Sequence, residues 1–227
     1  MLDSLIAFDK SLLLYCNGFH VPWLDAFFWF ISARLSNLWV VLPLLLLLFF
    51  RTSWKEALLV IAGVALAVLI CDQFASSLCK PLFHRLRPTH DEEIGSLVTL
   101  VNNYRGGRYG FISSHAANAF GAAVFLIAVF RNRFFSVAIL LWAVVVSYSR
   151  IYLGVHYPGD ILAGTIAGIL VGLAVYQAYK WTRCRLQAAV KFPDGEVPYR
   201  GSIYVNIFAG YICLLLVGMA MGSYLLV

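Results

Sequence analysis

The chain has 227 residues, of which 62% are hydrophobic and only 12% charged, about half the charge of a soluble domain. A soluble globule of this size has no interior large enough to hide so much apolar surface, so a water-soluble enzyme, a disordered chain and a nucleic-acid binder are excluded. The net charge of +6, from 17 Lys+Arg against 11 Asp+Glu, then reads as loop charge facing the cytoplasm and anionic lipid.

Two N-terminal stretches, 2–16 and 22–32, are apolar on one face but interrupted by Asp3, Asp9, Lys10 and Asp25. They read as interfacial helices joined by an Asn17-Gly18 turn, with one extra crossing near the N-terminus as the competing reading. The acidic residues and the lack of an A-x-A-like cleavage site argue against a removable signal peptide. Six stretches have the apolar length for a crossing: 35–50, 54–79, 113–130, 134–153, 158–179 and 203–227. The expected fold is therefore an all-α integral membrane bundle of six transmembrane helices. It forms one membrane-embedded domain over 1–227: N-terminal interfacial helices (1–34), a catalytic helical core (35–180) and a C-terminal transmembrane helix (203–227). Residues 191–200, with Pro193, Gly195 and Pro198, read as a linker. The five cysteines are scattered without CxxC spacing, so neither a zinc site nor a disulfide framework is expected.

Basic residues set the orientation. Arg51 with Lys55, Arg131 with Arg133, and Lys180, Arg183, Arg185 with Lys191 fall in alternate connections, which are assigned to the cytoplasm. The connections 80–112 and 150–160 then share the outer face. The first of these is itself basic, with Lys80, Arg85, Arg87, Arg105 and Arg108. An anionic substrate accounts for that departure from the charge rule.

Three polar groups gather on this outer face: Lys80 with Arg87-Pro88, Ser113-Ser114-His115, and Ser149-Arg150 with His156 and Asp160. Tyr157-Pro158-Gly159-Asp160 has the form of a helix start. Four residues separate His156 from Asp160, so the carboxylate reaches one imidazole nitrogen and leaves the other bare as nucleophile or base. Arg150 is placed to hold an oxyanion beside His156, although pairing of Arg150 with Asp160 across the turn is an alternative. Ser113 and Ser114 open a helix whose free amides favour an anion, or Ser113 is a plain N-cap. Lys80 and Arg87 suit phosphate or lipid headgroups. Taken together, the cations, the two histidines, the acid and the helix N-terminus make up the parts for phosphoryl transfer. No metal or cofactor is called for: the loop acids Asp91, Glu92 and Glu93 are adjacent in sequence and lack ligand spacing. Asp72, inside a span, is expected to pair with Lys80 or face a polar cavity. His84 and Arg85 are expected to be solvated, Asn118 to bond a catalytic group or pack between helices, and His20 and His90 to be bland. Gly164, Gly168 and Gly172 form a small-residue stripe for close helix packing.

These residues resemble the type 2 phosphatidic acid phosphatase superfamily, whose signature is K-x6-R-P, P-S-G-H and S-R-x5-H-x3-D. The first part is complete from Lys80 to Arg87-Pro88, and the third from Ser149-Arg150 through His156 to Asp160. The second reads Ile112-Ser113-Ser114-His115, with Ile112 and Ser114 in place of Pro and Gly. The resemblance implies a phosphatidic acid phosphatase-like bundle and a metal-independent phosphatase working through a phosphohistidine. His156 would be the nucleophile, Asp160 its orienting partner, and His115 the general acid and then base. Lys80, Arg87, Ser113 and Arg150 would bind the phosphate, with the Ser114 amide assisting. The implied partner is a membrane lipid phosphate or diphosphate: undecaprenyl diphosphate, phosphatidylglycerophosphate, phosphatidic acid or lipid A phosphate. The implied setting is a bacterial inner membrane with the site on its periplasmic or outer face. Phosphotransfer to another lipid or sugar, and non-enzymatic transport of anionic lipid, are the rival readings.

Overall fold

The computed structural model describes residues 2–50, 53–190, 199 and 202–225; Arg51 and, apart from Tyr199, the 191–200 linker lie outside them. The described residues are helical, with loops, turns and one isolated bridge. Helices α1 (Leu2–Asn17) and α2 (Pro22–Ser32) precede α3 (Leu38–Phe49). Next, α4 (Trp54–Gln73) runs through a π-helical stretch, Phe74–Cys79, into the short α5 (Lys80–Phe83). Then follow α6 (Ser114–Phe130), α7 (Arg133–Tyr152), α8 (Pro158–Val190) and α9 (Ile203–Leu225).

Among the described residues, four helical rods are long and apolar enough to cross a membrane: Trp54–Phe83, Arg133–Tyr152, Pro158–Leu186 and Ile203–Leu225. The other two expected spans, α3 and α6, are apolar but shorter. Pro43 sits inside α3, where it removes one backbone donor. Outward-facing residues such as Leu46, Val137, Leu162, Leu170, Leu214 and Val217 are well exposed. On a membrane protein this apolar coat faces lipid rather than water. Inside the bundle, Phe125, Phe130, Phe135, Trp142, Phe208 and Ile212 are buried in one core. Tyr211 of α9 donates its hydroxyl proton to the Trp39 carbonyl at 2.8 Å, fixing the last helix to α3.

One boundary differs from expectation. α8 does not stop at Tyr179 but continues to Val190, so its 33 residues span about 50 Å at 1.5 Å per residue. Lys180, Arg183 and Arg185 therefore sit on a helix rather than in a loop. One of them has a structural job: Arg183 Nε donates to Glu56 Oε2 at 2.9 Å, and Tyr179 donates its hydroxyl proton to Glu56 Oε1. Buried Glu56 thus ties α4 to α8 near the start of α4. Of the two places expected for Asp72, the ion pair with Lys80 does not form among the described residues, because the Lys80 ammonium turns to Ser76 Oγ (3.2 Å) and Ser114 Oγ (3.5 Å).

The α6–α8 pairing is the most extensive in the bundle, and the glycine stripe is its cause. A Cβ on Gly164 would lie 2.5 Å from the Ser113 carbonyl oxygen, and one on Gly172 would lie 2.6 Å from that of Gly121. Bare glycines let the two backbones meet, as in small-residue membrane interfaces. Gly172→Ala is therefore expected to lower the thermal midpoint in detergent, at a cost of about 1–3 kcal/mol for overpacking. Gly210→Ala, where nothing lies within 4 Å, should leave the midpoint unchanged; equal effects from the two would refute this account.

Candidate active site

The site forms where α5, α6, α7 and α8 end on one side of the bundle. After α7, Gly154 turns the chain at φ +67°, a backbone value that glycine adopts without penalty. The amides of Val155 and His156 fold back onto the Arg150 carbonyl at 3.1 and 3.3 Å, so Arg150 and His156 are held on the same short turn. α8 opens at Pro158, and its third residue, Asp160, accepts the Tyr157 amide at 3.1 Å. This is half of a capping box, with an acid reaching back to the residue before the helix.

Asp160 Oδ2 also lies 3.3 Å from His156 Nδ1. A carboxylate accepts, so Nδ1 carries the proton. The opposite nitrogen, His156 Nε2, is buried and has no hydrogen-bond partner. Unpaired buried polar atoms are rare and call for an explanation; here the atom is an unprotonated nitrogen with its lone pair uncommitted. The Gly110 backbone closes over this pair. A Cβ there would sit 3.0 Å from Asp160 Oδ2 and 3.1 Å from Arg87 Cγ.

The cations surround this imidazole. Arg87 is buried, its Nε donating to the Tyr109 carbonyl (3.1 Å) and its Nη1 to the Val155 carbonyl (3.4 Å). Lys80 follows the π-helical stretch, whose extra residue per turn changes the register of α4 just before the lysine, and its ammonium reaches Ser114 of α6. Arg150 is almost fully buried. It donates to Ser32 Oγ of α2 and, at 3.4 Å, to the Tyr104 hydroxyl, while its Nε remains without a partner. His115 stands in the first turn of α6, where Arg150, His156, Arg87 and Lys80 all act on it electrostatically. Ser113 caps α6 by accepting the Ala116 amide (3.4 Å), and its own amide donates to the Asp160 carbonyl (3.1 Å). Lys80, Arg87, Ser113, Ser114, His115, Arg150, His156 and Asp160 thus converge, with Arg150 held by Ser32 and Tyr104 rather than paired with Asp160.

One expectation is overturned. Arg85 is not solvated: it donates to Asp160 Oδ1 at 2.8 Å and to Asp9 Oδ2 at 2.6 Å, and its guanidinium lies 4.2 Å from the Tyr157 ring centroid. An unpaired carboxylate as buried as Asp160 recruits the nearest cation. His84, by contrast, is exposed in the left-handed turn that ends α5. Asn118 Oδ1 is buried without a partner. His20 is engaged locally, its Nδ1 lying 2.6 Å from Asp25 Oδ1. Ser32 and Tyr104 escape the sequence reading altogether, and Asp9 enters it without a role in the site. Only Asp9, a charge inside an apolar helix, carried a sequence signal.

Burial, and after it Arg87, Arg150 and Lys80, hold the His156 imidazole well below its ordinary pKa of 6.5. A histidine kept neutral in the folded state binds its proton on unfolding. The unfolded chain is thus favoured as pH falls below 6.5, and the stability is fully present above it. The thermal midpoint in detergent is expected to fall between pH 6.5 and 5, by up to about 1.4 kcal/mol per pH unit for one proton. His156→Gln should remove one proton's share of that slope, and an unchanged slope would contradict the assignment of a neutral imidazole.

A sequence model of the PAP2 superfamily matches residues 56–184. The chain is 43% identical over 188 residues to the lipid A 4′-phosphatase of Porphyromonas gingivalis, covering 81% of this chain and 78% of that protein. It is 42% identical over 223 residues to the lipid A 4′-phosphatase of Bacteroides thetaiotaomicron, covering 94% and 95%. The crystal structure of Aquifex aeolicus LpxE superposes with a TM-score of 0.57 at 29% identity, over 74% of this chain and 93% of that one. The transmembrane PAP2-type phosphatidylglycerolphosphate phosphatase of Bacillus subtilis shares the fold, with a TM-score of 0.55 at 22% identity over 79% and 87%. The chain belongs to the PAP2 superfamily and is an integral membrane phosphatase.

Proposed function

We propose that the enzyme removes the 4′-phosphate of lipid A by way of a phosphohistidine on His156. Hydrolysis of a lipid phosphate is the activity of the protein; the choice of lipid A rests on the 42% identity that runs through 94% of the chain. The observation that carries the chemistry is the bare, buried Nε2 of His156, whose Nδ1 is tied to Asp160.

In the reaction so proposed, Lys80, Arg87, Arg150, Ser113 and the Ser114 amide hold the phosphate oxygens and offset the charge that spreads over them. Nε2 of His156 attacks phosphorus, the bond to the sugar oxygen breaks, and His115 donates its proton to that leaving oxygen. Asp160 stabilises the imidazolium that forms. Water then attacks phosphorus and gives a proton to His115, the phosphorus–nitrogen bond breaks, and inorganic phosphate departs. The substrate is anchored in the bilayer, so the site opens at one membrane face. We assign it to the periplasmic side of a bacterial inner membrane because the alternate connections are basic on the other side. α1 and α2 lie along that face as interfacial helices, an arrangement supported by the exposed Leu5, Phe8 and Tyr15 of α1 and Trp29 and Phe30 of α2. The whole chain works as one membrane-embedded unit.

Purified enzyme given lipid A in detergent is expected to release inorganic phosphate and leave a product that retains its 1-phosphate, identified by mass spectrometry. His156→Ala and His115→Ala should each lower the rate on the order of 10³-fold. Full activity in either variant, or loss of the 1-phosphate instead, would overturn the proposal.

A further inference from the structure

Two charges in α1 have no evident place in a helix otherwise apolar over most of its length. Asp9 and Lys10 are adjacent, and both reach the catalytic turn. Asp9 Oδ2 accepts from Arg85 Nη2 at 2.6 Å, and its Oδ1 accepts the Gly159 amide at 2.8 Å, in the first turn of α8. Lys10 Nζ pairs with Asp91 at 3.0 Å and with Glu93 at 2.6 Å. Asp91 in turn accepts the Tyr157 hydroxyl at 2.8 Å, and the Tyr157 ring lies beneath Arg85. The contacts close into a ring: Asp9, Arg85, Tyr157, Asp91, Lys10 and back to Asp9 along the backbone of α1.

Two members of this ring, Arg85 and Tyr157, hold Asp160, which has no exposed surface. Its Oδ1 is held by Arg85, and its Oδ2 is left for the Tyr157 amide and His156. A carboxylate with a single tether is free to rotate about its terminal bond. A second, charged tether removes that freedom, and charge-assisted bonds at 2.6–2.8 Å are the strong kind. Both terminal nitrogens of Arg85 are committed to carboxylates, so its influence on phosphate runs through Asp160.

We propose that Arg85, held in place by Asp9 of the N-terminal helix, is a positioning residue that aims Asp160 at His156. α1 is then a working part of the site, supplying from outside the signature motifs the acid that completes an Asp9–Arg85–Asp160–His156 relay. This inference rests on the reading of His156 as nucleophile.

The test uses the full-length enzyme. Arg85→Gln is expected to lower kcat by about 10–100-fold, the scale of partners that orient a reacting ligand, with KM held within about twofold because uniform substrate binding is untouched. Asp9→Asn should show a smaller loss of the same type, and Arg85→Lys a partial rescue. In an Asp160→Asn background, Arg85→Gln should add little further loss, since the relay is already cut. A readout independent of turnover is the ¹⁵N-histidine NMR spectrum in detergent: the hydrogen-bonded Nδ1 proton of His156 should shift or vanish in Arg85→Gln. The thermal midpoint guards against unfolding, with Asp9→Asn as the milder variant. Unchanged kcat, a rise confined to KM, additive losses, or an unaltered Nδ1 signal would each overturn the relay. An Nδ1 signal that responds to Arg85→Gln as expected, in a protein whose wild type releases no phosphate from any lipid phosphate, would instead overturn the functional reading and leave the relay standing.

Discussion

A carboxylate that is wholly enclosed in protein has to find partners for both oxygens, because an isolated buried charge is too costly to keep. Asp160 meets that demand with three donors from separate pieces of chain: Arg85, the Tyr157 amide and His156. Much of the outer end of the molecule is arranged by this requirement. The first turn of α8 must sit against the loop that carries Arg85. That loop must in turn come under α1, since Arg85 itself is part-buried and takes a second acid, Asp9. The cation, acid and imidazole therefore define one another's positions.

That arrangement is possible only if helix ends can come close. Backbone contact at Gly164 brings the start of α6 against α8, and the Ser113 amide then meets the Asp160 carbonyl. The dipole of α6 and the first turn of α8 are thereby directed at one spot. A bulkier residue in the stripe would separate the two motifs that supply Ser113 and His156 before it disturbed any polar contact. Packing and chemistry are coupled through the glycines.

Much of this was legible in sequence, for definite reasons. The pairing of His156 with Asp160 follows from a spacing of four across a helix start, a local matter that the backbone settles by itself. The helical bundle follows from apolar length. Arg85 was misjudged because its role depends on Asp9, 76 residues away, and no local pattern reports such a partner. Tyr104 and Ser32 were invisible for the same reason: each approaches Arg150 from a segment distant in sequence, 46 and 118 residues away. The end of α8 was misplaced because a basic run reads as a loop, whereas Arg183 is drawn into helix by buried Glu56. Asp9 and Lys10 were visible as interruptions of an apolar stretch, but their purpose was not.

α8 is gripped near both of its ends by a buried acid and an arginine, and comparing the two separates structural polarity from chemical polarity. At one end, each Glu56 oxygen has its donor: Tyr179 on one, Arg183 on the other. The network is closed, and closure is what fixes α4 against α8. At the other end, the chain from Asp9 through Arg85 and Asp160 satisfies every oxygen that has been named, yet it stops one atom short, at His156 Nε2. Arg150 Nε, nearby, is likewise without a partner. An acceptor and a cationic donor left unpaired in one enclosed site suit a guest that offers an electrophilic centre to the nitrogen and anionic oxygens to the guanidinium. A phosphate group has both. The same physics that makes Glu56 a clamp thus suits Asp160 to the reaction site of the proposed function, and the difference lies in where the hydrogen bonds run out.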